Sequence, residues 1–420
     1  MNQLACKEHA TLLYIDSSLR SHRGHHANVC EAITSAARSQ GHRVQIAISQ
    51  KKTDACEGEK VFSQDVYCNM KRNPDAFVDR MRLKLASSRV SREVLPILQR
   101  TRPHAIYAHS VNAVVCEGIL QAIGKAFLPG GAPFFMAEMP FPCEPSERYF
   151  YGEQLRAMFE RLNGRAAAAR RRSQANLLDR FAPITVNERT SDLLSQSTGV
   201  EIGVMPSPYA VRSRRGQEHK HRSTPLRIGS VGHQSEHKGF DLLPAIIESL
   251  GNQKHKIQWV IQHQDESNPA TLEQLKTLQQ KGFDIELVHR DLTPSDYEKL
   301  LLGLDVILLP YKPQRYQSAI SGICYEGLSQ GSVVIAPRHT TVGKIVHEFQ
   351  PETPQFEDWT SESIAAAVRK SVENADPIGD AALAGASLYA ETNGPDVYAR
   401  RIMSPALQDL ALIQPDRSVA

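Results

Sequence analysis

Short apolar runs alternate with amphipathic stretches twice along the chain, and this alternation limits the possible folds more than any other feature. The first series starts with ATLLYID at residues 10–16, followed by an amphipathic stretch ending at Gly41 and by the run RVQIAIS. The second starts with LRIGSVG at Leu226 and continues through KIQWVIQH, IELVHR and DVILLP. Strands that pair in parallel through crossover helices produce this pattern. The sequence therefore predicts an α/β protein with two doubly wound domains and a cleft between them.

A basic segment without apolar periodicity, RSRRGQEHKHRSTP, separates the two series and is the best candidate for a linker. The predicted domains are residues 1–210 and 226–390, with the linker at 211–225 and a final segment at 391–420. A length of 420 residues agrees with two domains.

Composition excludes several classes of function. Apolar residues make up 41% and charged residues 23%, as in globular proteins, and a net charge of +3 gives no reason to expect a nucleic-acid partner. The 7 cysteines are scattered and form no CxxC pair, which indicates reduced thiols in the cytoplasm. No apolar run approaches the roughly 18 residues of a membrane span, so any membrane contact is expected to be peripheral.

The stretch at residues 310–337 has the pattern of an anion site. A polar loop follows the strand DVILLP, and the chain then enters a helix at Ser321 and Gly322, where free N–H groups and the helix dipole favour an anion. Glu326 lies four residues further on the same helix face, a spacing that suits a nucleotide's ribose hydroxyls. A plain strand–loop–helix with a solvated glutamate is the alternative, and these residues alone do not decide between them.

A second loop, SVGHQSEHKGFDLL, has the same strand–loop–helix order, with Lys238 and Gly239 just before the helix. Lys238 is a candidate for neutralising phosphate charge, although a lysine near a helix start is often only a surface residue. The sequence has no DxD, HExxH, P-loop or GxGxxG after the first strand, so we expect no metal and no cofactor.

Polar side chains also follow strands of the N-terminal series, at the edge where α/β proteins bind ligands. A solvated or structural role for the adjacent histidines stays open. The candidates are Gly24, His25 and His26 after the first strand, His109 and Asn112 after HAIYAHS, and Glu138 after APFFMAE. Arg170, Arg171 and Arg172 form a basic run that is either a solvated helix face or a patch for anionic lipid or an anionic acceptor.

These motifs resemble a known family. In order, SVGHQSEHKGFDLL, LVHRDLTPSDYEKLLLGLDVILLPY and SGICYEGLSQGSVVIAP resemble the C-terminal half of GT-B glycosyltransferases of the family 4-like, or group 1, type. The N-terminal motifs RGHHANV, HAIYAHS and ITVNERTSDLL resemble that family more loosely. The resemblance covers nearly the whole chain and implies two Rossmann-like domains facing a cleft, with the C-terminal helix crossing back to the N-terminal domain.

The resemblance also implies an activity, namely retaining transfer of a sugar from a nucleotide-sugar to a glycan, glycolipid or other lipid-linked acceptor, as in polysaccharide biosynthesis. Lys238 matches the lysine that binds the donor pyrophosphate, and Glu326 matches the glutamate that holds the ribose. Gly322 and Ile323 match the positions whose N–H groups face the phosphates, and Ser321 precedes them.

In the N-terminal half, Gly24 matches the glycine loop that approaches the donor, and His109 matches the histidine near the transferred sugar. His109, Lys238 and Glu326 are thus the expected catalytic residues. The expected acceptor-side residues are His25, His26, Asn112 and Glu138.

Two donor-site positions depart from the family's pattern. His233 stands where the family has a phosphate-binding arginine, and Ser318 where it has the first glutamate of a pair. Arg315 is a candidate for the missing positive charge. These departures leave open a catalytically silent GT-B protein that serves as a binding or scaffold subunit. A GT-B epimerase acting on the nucleotide-sugar itself is a further alternative.

Overall fold

The computed structural model describes residues 10–21, 24–53, 56–128, 131–139, 150–171, 177–209, 225–264, 267–289 and 292–413. The chain forms two compact units, one of Met1–Pro208 with Pro395–Ala420 and one of Tyr209–Gly394. The second unit thus ends at Gly394 rather than at residue 390. Almost all of the predicted linker lies outside the described residues, and so do the side chains of Arg170, Arg171 and Arg172.

The first unit is built on a seven-stranded parallel sheet of order β3-β2-β1-β4-β5-β6-β7. The central strand β1 is buried on both faces, with Leu13 and Ile15 in one core cluster and Leu12 and Tyr14 in the other, which explains its continuous apolar run. The strands are β1 (Thr11–Asp16), β2 (Arg43–Ser49), β3 (Glu59–Phe62), β4 (Ala105–Ala108), β5 (Phe134–Glu138), β6 (Phe181–Thr185) and β7 (Gly203–Val204).

Strand β3 is an element that the sequence pattern does not predict. It is a short strand at the edge of the sheet, paired only with β2, and its Glu59 and Lys60 are exposed. An edge strand with solvated side chains carries no long apolar run, so the sequence pattern did not reveal it.

Five helices follow strands of this sheet. They are α1 (His25–Ser39), α2 (Phe77–Thr101), α3 (Ala113–Ala126), α4 (Tyr151–Arg171) and α5 (Glu188–Thr198). Asparagine side chains cap two of them: Asn112 accepts from Val115 N at the start of α3, and Asn187 accepts from Thr190 N at the start of α5.

The second unit has a five-stranded parallel sheet of order β10-β9-β8-β11-β12. Its strands are β8 (Leu226–Ser230), β9 (Ile257–His263), β10 (Asp284–His289), β11 (Val306–Leu308) and β12 (Val333–Ile335). Its helices are α6 (Leu243–Ser249), α7 (Pro269–Gln280), α8 (Pro294–Leu302), α9 (Gly322–Gln330), α10 (Thr341–Phe349), α11 (Ser361–Glu373) and α12 (Ala375–Asn393). Because β8 and β11 are neighbours, the loops that leave their carboxyl ends start side by side.

The last helix, α13 (Pro395–Ile413), belongs to the first unit, as the resemblance implied. Its residues Tyr398, Ile402 and Met403 are buried in the same core cluster as Val29 and Ile33 of α1. The two ends of the described chain are therefore packed together in one unit.

Candidate functional site

The loop after β8 and the loop after β11 are bound to each other in the second unit. The backbone N–H of Lys312 donates to the carbonyl of His237 over 2.9 Å. Gly239, with φ +73°, lies against Pro310 so closely that a Cβ there would be 2.0 Å from the Pro310 carbonyl oxygen. The glycine of the predicted Lys238–Gly239 motif is therefore required for this contact, since any side chain would push the loops apart.

Three basic side chains of these loops influence one histidine ring, that of His237. Desolvation lowers the pKa of His237 first, and the positive charges of Arg315, Lys238 and His233 lower it further. All three residues therefore belong to the surroundings of one histidine ring, and the two loops that carry them are joined by the bond from Lys312 to His237. Lys238 and Arg315, which the sequence offered for phosphate charge, thus lie on two loops that are bonded to each other.

Lys238 differs from its two neighbours in being half-buried, whereas His233 and Arg315 are exposed. Burial lowers the pKa of the Lys238 ammonium, which lies 5.8 Å from the centre of the Tyr311 ring. Tyr311 in turn stacks on Tyr316, with ring centres 4.1 Å apart. This stacking joins two residues of the loop after β11 and thereby supports the charged residues of that loop.

The loop after β11 continues into the N-terminus of α9. The Ser321 hydroxyl accepts from Cys324 N at 3.3 Å and also lies 3.1 Å from the Tyr311 hydroxyl, so Ser321 is the helix cap. Gly322 and Ile323 are the first two helical residues, whose N–H groups have no partner within the helix itself. Ser318 lies half-buried in the turn before this cap. That turn is held from outside by Thr341, which donates to the Gln317 carbonyl at 2.7 Å.

Glu326 is buried, with 7% of its surface exposed, so the solvated alternative is wrong. One oxygen of its carboxylate accepts from the Tyr297 hydroxyl at 2.7 Å. Tyr297, on α8, was not predicted as a site residue because nothing in its local sequence pattern indicates a partner 29 residues away. The structure therefore adds Tyr297 as a residue that orients Glu326.

Gln262, near the end of β9, also has a defined role. Its side-chain oxygen accepts from the backbone N–H of Gly232 at 2.7 Å. Gly232 has φ +93°, and a Cβ added there would lie 3.2 Å from Ile323 Cδ1. Gln262 thus holds the loop after β8 close to the start of α9.

A second polar cluster lies at the carboxyl ends of β1, β4 and β5 in the first unit. His109 Nδ1 is 3.1 Å from Glu138 Oε1, and both side chains are almost fully buried. The separation is that of an ion pair, although the N–H direction is not aligned for a hydrogen bond. Tyr107 donates to the other carboxylate oxygen at 2.5 Å, and Tyr398 of α13 lies 3.3 Å from that same oxygen.

The pKa shifts agree with a charged His109–Glu138 pair. Burial acts to lower the pKa of His109, but the negative charge of Glu138 and its contact with the ring raise it. Burial acts to raise the pKa of Glu138, yet the charge and close contact of His109 and the bond from Tyr107 lower it to about 2. An imidazolium held by a buried carboxylate can donate from its remaining nitrogen, Nε2, which lies 3.2 Å from the Ser110 hydroxyl.

The other two histidines belong to the same cluster. The ring centres of His25 and His26 lie 5.1 Å and 5.2 Å from that of His109. Desolvation and then the charges of His109 and His26 lower the pKa of His25 to about 3, which makes it the neutral member. His26 Nδ1 is 2.8 Å from Asp16 Oδ2, a contact that the sequence did not suggest.

Gly24 and Asn112 occupy the remaining predicted positions in this unit. Gly24 has φ +85° and immediately precedes α1, and a Cβ added to it would meet no atom within 4 Å, so it leaves open space beside the histidines. Asn112 is buried and donates to the carbonyls of Val66 and Cys68 at 2.7 and 3.1 Å while capping α3. Its side chain thus holds neighbouring backbone in place.

Asp16, His26 and His109 are the one group in the described part of the chain whose ligand atoms lie close enough to hold a metal ion, within 4.8 Å of one another. His26 Nδ1 and Asp16 Oδ2 are 2.8 Å apart, which is closer than the separation of about 3.3 Å between two ligand atoms of a tetrahedral zinc ion. The second Asp16 oxygen accepts from Ser18 N at 2.9 Å and Leu19 N at 3.0 Å. Asp16 and His26 therefore satisfy each other without an ion.

Comparison with known proteins defines the class of fold. No family model and no curated protein sequence matches the chain. A glycosyltransferase from Rickettsia africae is similar in structure, with 12% identity, 96% of this chain and 99% of that chain covered, and a TM-score of 0.64. The E. coli trehalose-6-phosphate protein bound with UDP-2-fluoro glucose has 11% identity, 95% and 99% coverage and a TM-score of 0.60.

A putative UDP-N-acetylglucosamine 2-epimerase from Listeria monocytogenes is also similar, with 12% identity, 97% and 98% coverage and a TM-score of 0.56. At such low identity these likenesses establish the fold and not the activity. The chain has the GT-B fold of the glycosyltransferases, as its motifs implied. No described helix has the length and apolar character needed to cross a membrane.

Proposed function

We propose that this protein is a retaining glycosyltransferase that moves a sugar from a nucleotide-sugar to a glycan or lipid-linked acceptor. The observation that carries the proposal is that the loops with Lys238 and Arg315 are bonded to each other, from the Lys312 N–H to the His237 carbonyl. The loop after β11 leads directly into α9, which carries Glu326 one turn from its start. Positive charge, a helix N-terminus and a carboxylate in this order match a diphosphate followed by a ribose.

In this proposal the basic residues stabilise the diphosphate as it leaves, because negative charge increases there in the transition state. Glu326 accepts from the ribose hydroxyls, and Tyr297 keeps its carboxylate in position. In the first unit, His109 donates to a hydroxyl of the sugar substrate, and Glu138 keeps its imidazole charged. The retention of configuration rests on the motif resemblance, and the scattered cysteines support a cytoplasmic location.

The first experiment measures donor binding by calorimetry. A thermal-shift screen of UDP-, GDP-, ADP- and dTDP-sugars selects the donor, since a ligand of the folded state raises its stability. Lys238→Ala and Arg315→Ala should each weaken binding of that donor by roughly ten- to a hundredfold, the usual effect of losing a hydrogen bond to a charged group. Lys276→Ala, at an exposed lysine of α7, is the matched control. Unchanged affinity in both loop variants would show that the phosphate assignment is wrong.

We also propose that the transfer needs no metal ion, because Lys238, Arg315 and the start of α9 supply the positive charge. Activity should then survive treatment with a chelator, and added Mg²⁺ or Mn²⁺ should not raise it. A strict requirement for either ion would contradict this part of the proposal and leave the donor assignment standing.

Two other functions have specific support. His233 and Ser318 depart from the family's pattern, which favours a protein that binds the donor without turning it over. Release of free nucleotide from the donor, with or without acceptor, would exclude this alternative. The Listeria epimerase shares the fold, so the donor should also be incubated alone and its sugar examined by NMR. An inverted centre in the recovered nucleotide-sugar would identify an epimerase instead.

A further inference from the structure

The first turns of α2 expose a line of apolar side chains to solvent. Phe77, Val78, Met81 and Leu85 are 69%, 58%, 45% and 65% exposed. At 100° per residue their positions fall within an arc of about 100° on one side of the helix. The opposite side of α2 already supplies the core, through residues such as Val90, Val94 and Leu98. We call these four exposed residues the α2 face.

The α2 face is unusual within this molecule. Large exposed apolar side chains are otherwise scattered singly over the described residues, at Tyr67, Leu128, Val204 and Leu388. Isolated exposed apolar residues are normal on a protein surface, whereas a contiguous group marks a surface that binds something.

Basic side chains border the face on both sides. Residues 77–92 contain 5 basic side chains, Arg80, Arg82, Lys84, Arg89 and Arg92, against the single carboxylate of Asp79. All five are exposed. Asp79 already pairs with Arg72 at 3.5 Å and lies 3.9 Å from Arg82. The surroundings of the apolar line are therefore strongly positive.

A cavity of about 260 Å³ opens beside the face, and Met81 contributes to both. Ala113, Val114 and Ala157 line it with apolar surface, and Arg80 and Lys84 are also part of its lining. The acid in the cavity, Glu117, is neutralised by Arg161 at 2.8 Å. The cavity thus resembles the α2 face in being apolar with basic groups around it.

We propose that the α2 face docks on the surface of a membrane that contains anionic lipid. Its apolar side chains enter the boundary between headgroups and acyl chains, and the flanking arginines and lysine pair with lipid phosphates. A helix with a narrow apolar side and basic flanks is the usual form of such a contact. The sequence offered Arg170–Arg172 as a solvated helix face or a patch for an anionic partner, whereas this surface lies on a different helix.

Other occupants fit the face less well. A second copy of the chain docked through the same face would bring two strongly positive surfaces together, which costs free energy. Single-stranded nucleic acid needs aromatic platforms for its bases, and the face has one aromatic side chain among three aliphatic ones. An anionic bilayer matches both the charge and the apolar line.

The test is co-sedimentation of the full chain with phosphatidylcholine vesicles, prepared with and without phosphatidylglycerol. The wild type should bind the anionic vesicles, and binding should fall as salt is raised above roughly 0.1 M. Arg80→Gln with Lys84→Gln should weaken this binding about 25-fold, taking about fivefold for each charge. Phe77→Ser with Leu85→Ser should weaken it at least tenfold.

Leu128→Ser is the matched control, because Leu128 is 83% exposed but lies outside α2. It should bind vesicles as the wild type does, and circular dichroism should show all variants folded. The proposal is overturned if the wild type stays in the supernatant or if the Phe77/Leu85 variant binds as well as the wild type. It is equally overturned if that variant changes only the oligomeric state in analytical ultracentrifugation, which would identify a contact between copies. None of these outcomes depends on donor binding.

Discussion

Replacing Glu138 with glutamine tests the buried pair of the first unit most directly. The substitution keeps the shape of the side chain and removes the negative charge 3.1 Å from His109 Nδ1. Both side chains are nearly inaccessible to water, so solvent cannot replace the lost charge. A buried charge left without its partner is strongly destabilising.

The size of the effect follows from the pKa of Glu138. Burial acts to raise this pKa, but the charge and close contact of His109 and the bond from Tyr107 lower it in the folded protein from 4.5 to about 2. A shift of this size corresponds to stabilisation on the order of 3 kcal/mol at neutral pH. We therefore expect Glu138→Gln to lower the free energy of unfolding by about that amount.

The directions of the two pKa shifts determine the pH range in which Glu138 and His109 each contribute to folding stability. The lowered pKa of Glu138 means that its contribution is present above pH 4.5 and is lost as pH falls toward 2. The raised pKa of His109 means that its contribution is present below pH 6.5 and is lost as pH rises through the folded-state pKa. The pair should therefore stabilise the first unit most between pH 4.5 and 6.5.

The assay is urea unfolding of the wild type and Glu138→Gln across this pH range and above it. The stability of the wild type should decline above pH 6.5. The variant should not show this decline, because a buried His109 without its carboxylate is neutral. Glu357→Gln, at an exposed glutamate paired with Arg338, is the control and should change little. If the wild-type and Glu138→Gln profiles run parallel at all pH values, the charged pair has been assigned wrongly.

Two predictions concern the second unit. Gly239→Ala places a Cβ 2.0 Å from the Pro310 carbonyl oxygen at φ +73°. It should therefore lower the free energy of unfolding by more than about 2 kcal/mol and weaken donor binding. Gly131→Ala is the control and should be neutral, because a Cβ at Gly131 meets open space. Tyr297→Phe removes a 2.7 Å bond to buried Glu326 and should cost about 1–3 kcal/mol in stability and weaken nucleotide binding. Calorimetric titration and thermal melts measure both, and a Tyr297 variant with wild-type donor affinity would show that Glu326 does not depend on this tyrosine.

The sequence by itself determined most elements of the fold and the edge of each sheet where the candidate site residues lie. The apolar runs at residues 10–16 and 226–230 predicted central strands, since a strand buried on both faces needs apolar side chains throughout. Lys238, Glu326 and His109 became candidates because each sits just beyond a strand or near a helix start, which are local features. The edge strand β3 was missed because its outer residues are solvated and carry no apolar signal.

Tertiary structure alone decided which of these side chains meet. Glu326 is oriented by Tyr297, and the Glu138 that pairs with His109 also contacts Tyr398, which is 260 residues away along the chain. Likewise, the apolar side chains of α2 divide between a buried side and an exposed one, and only packing shows that Phe77 and Leu85 face solvent. Periodicity is a property of neighbouring residues, whereas burial, charge pairing and pKa depend on atoms brought close by the fold.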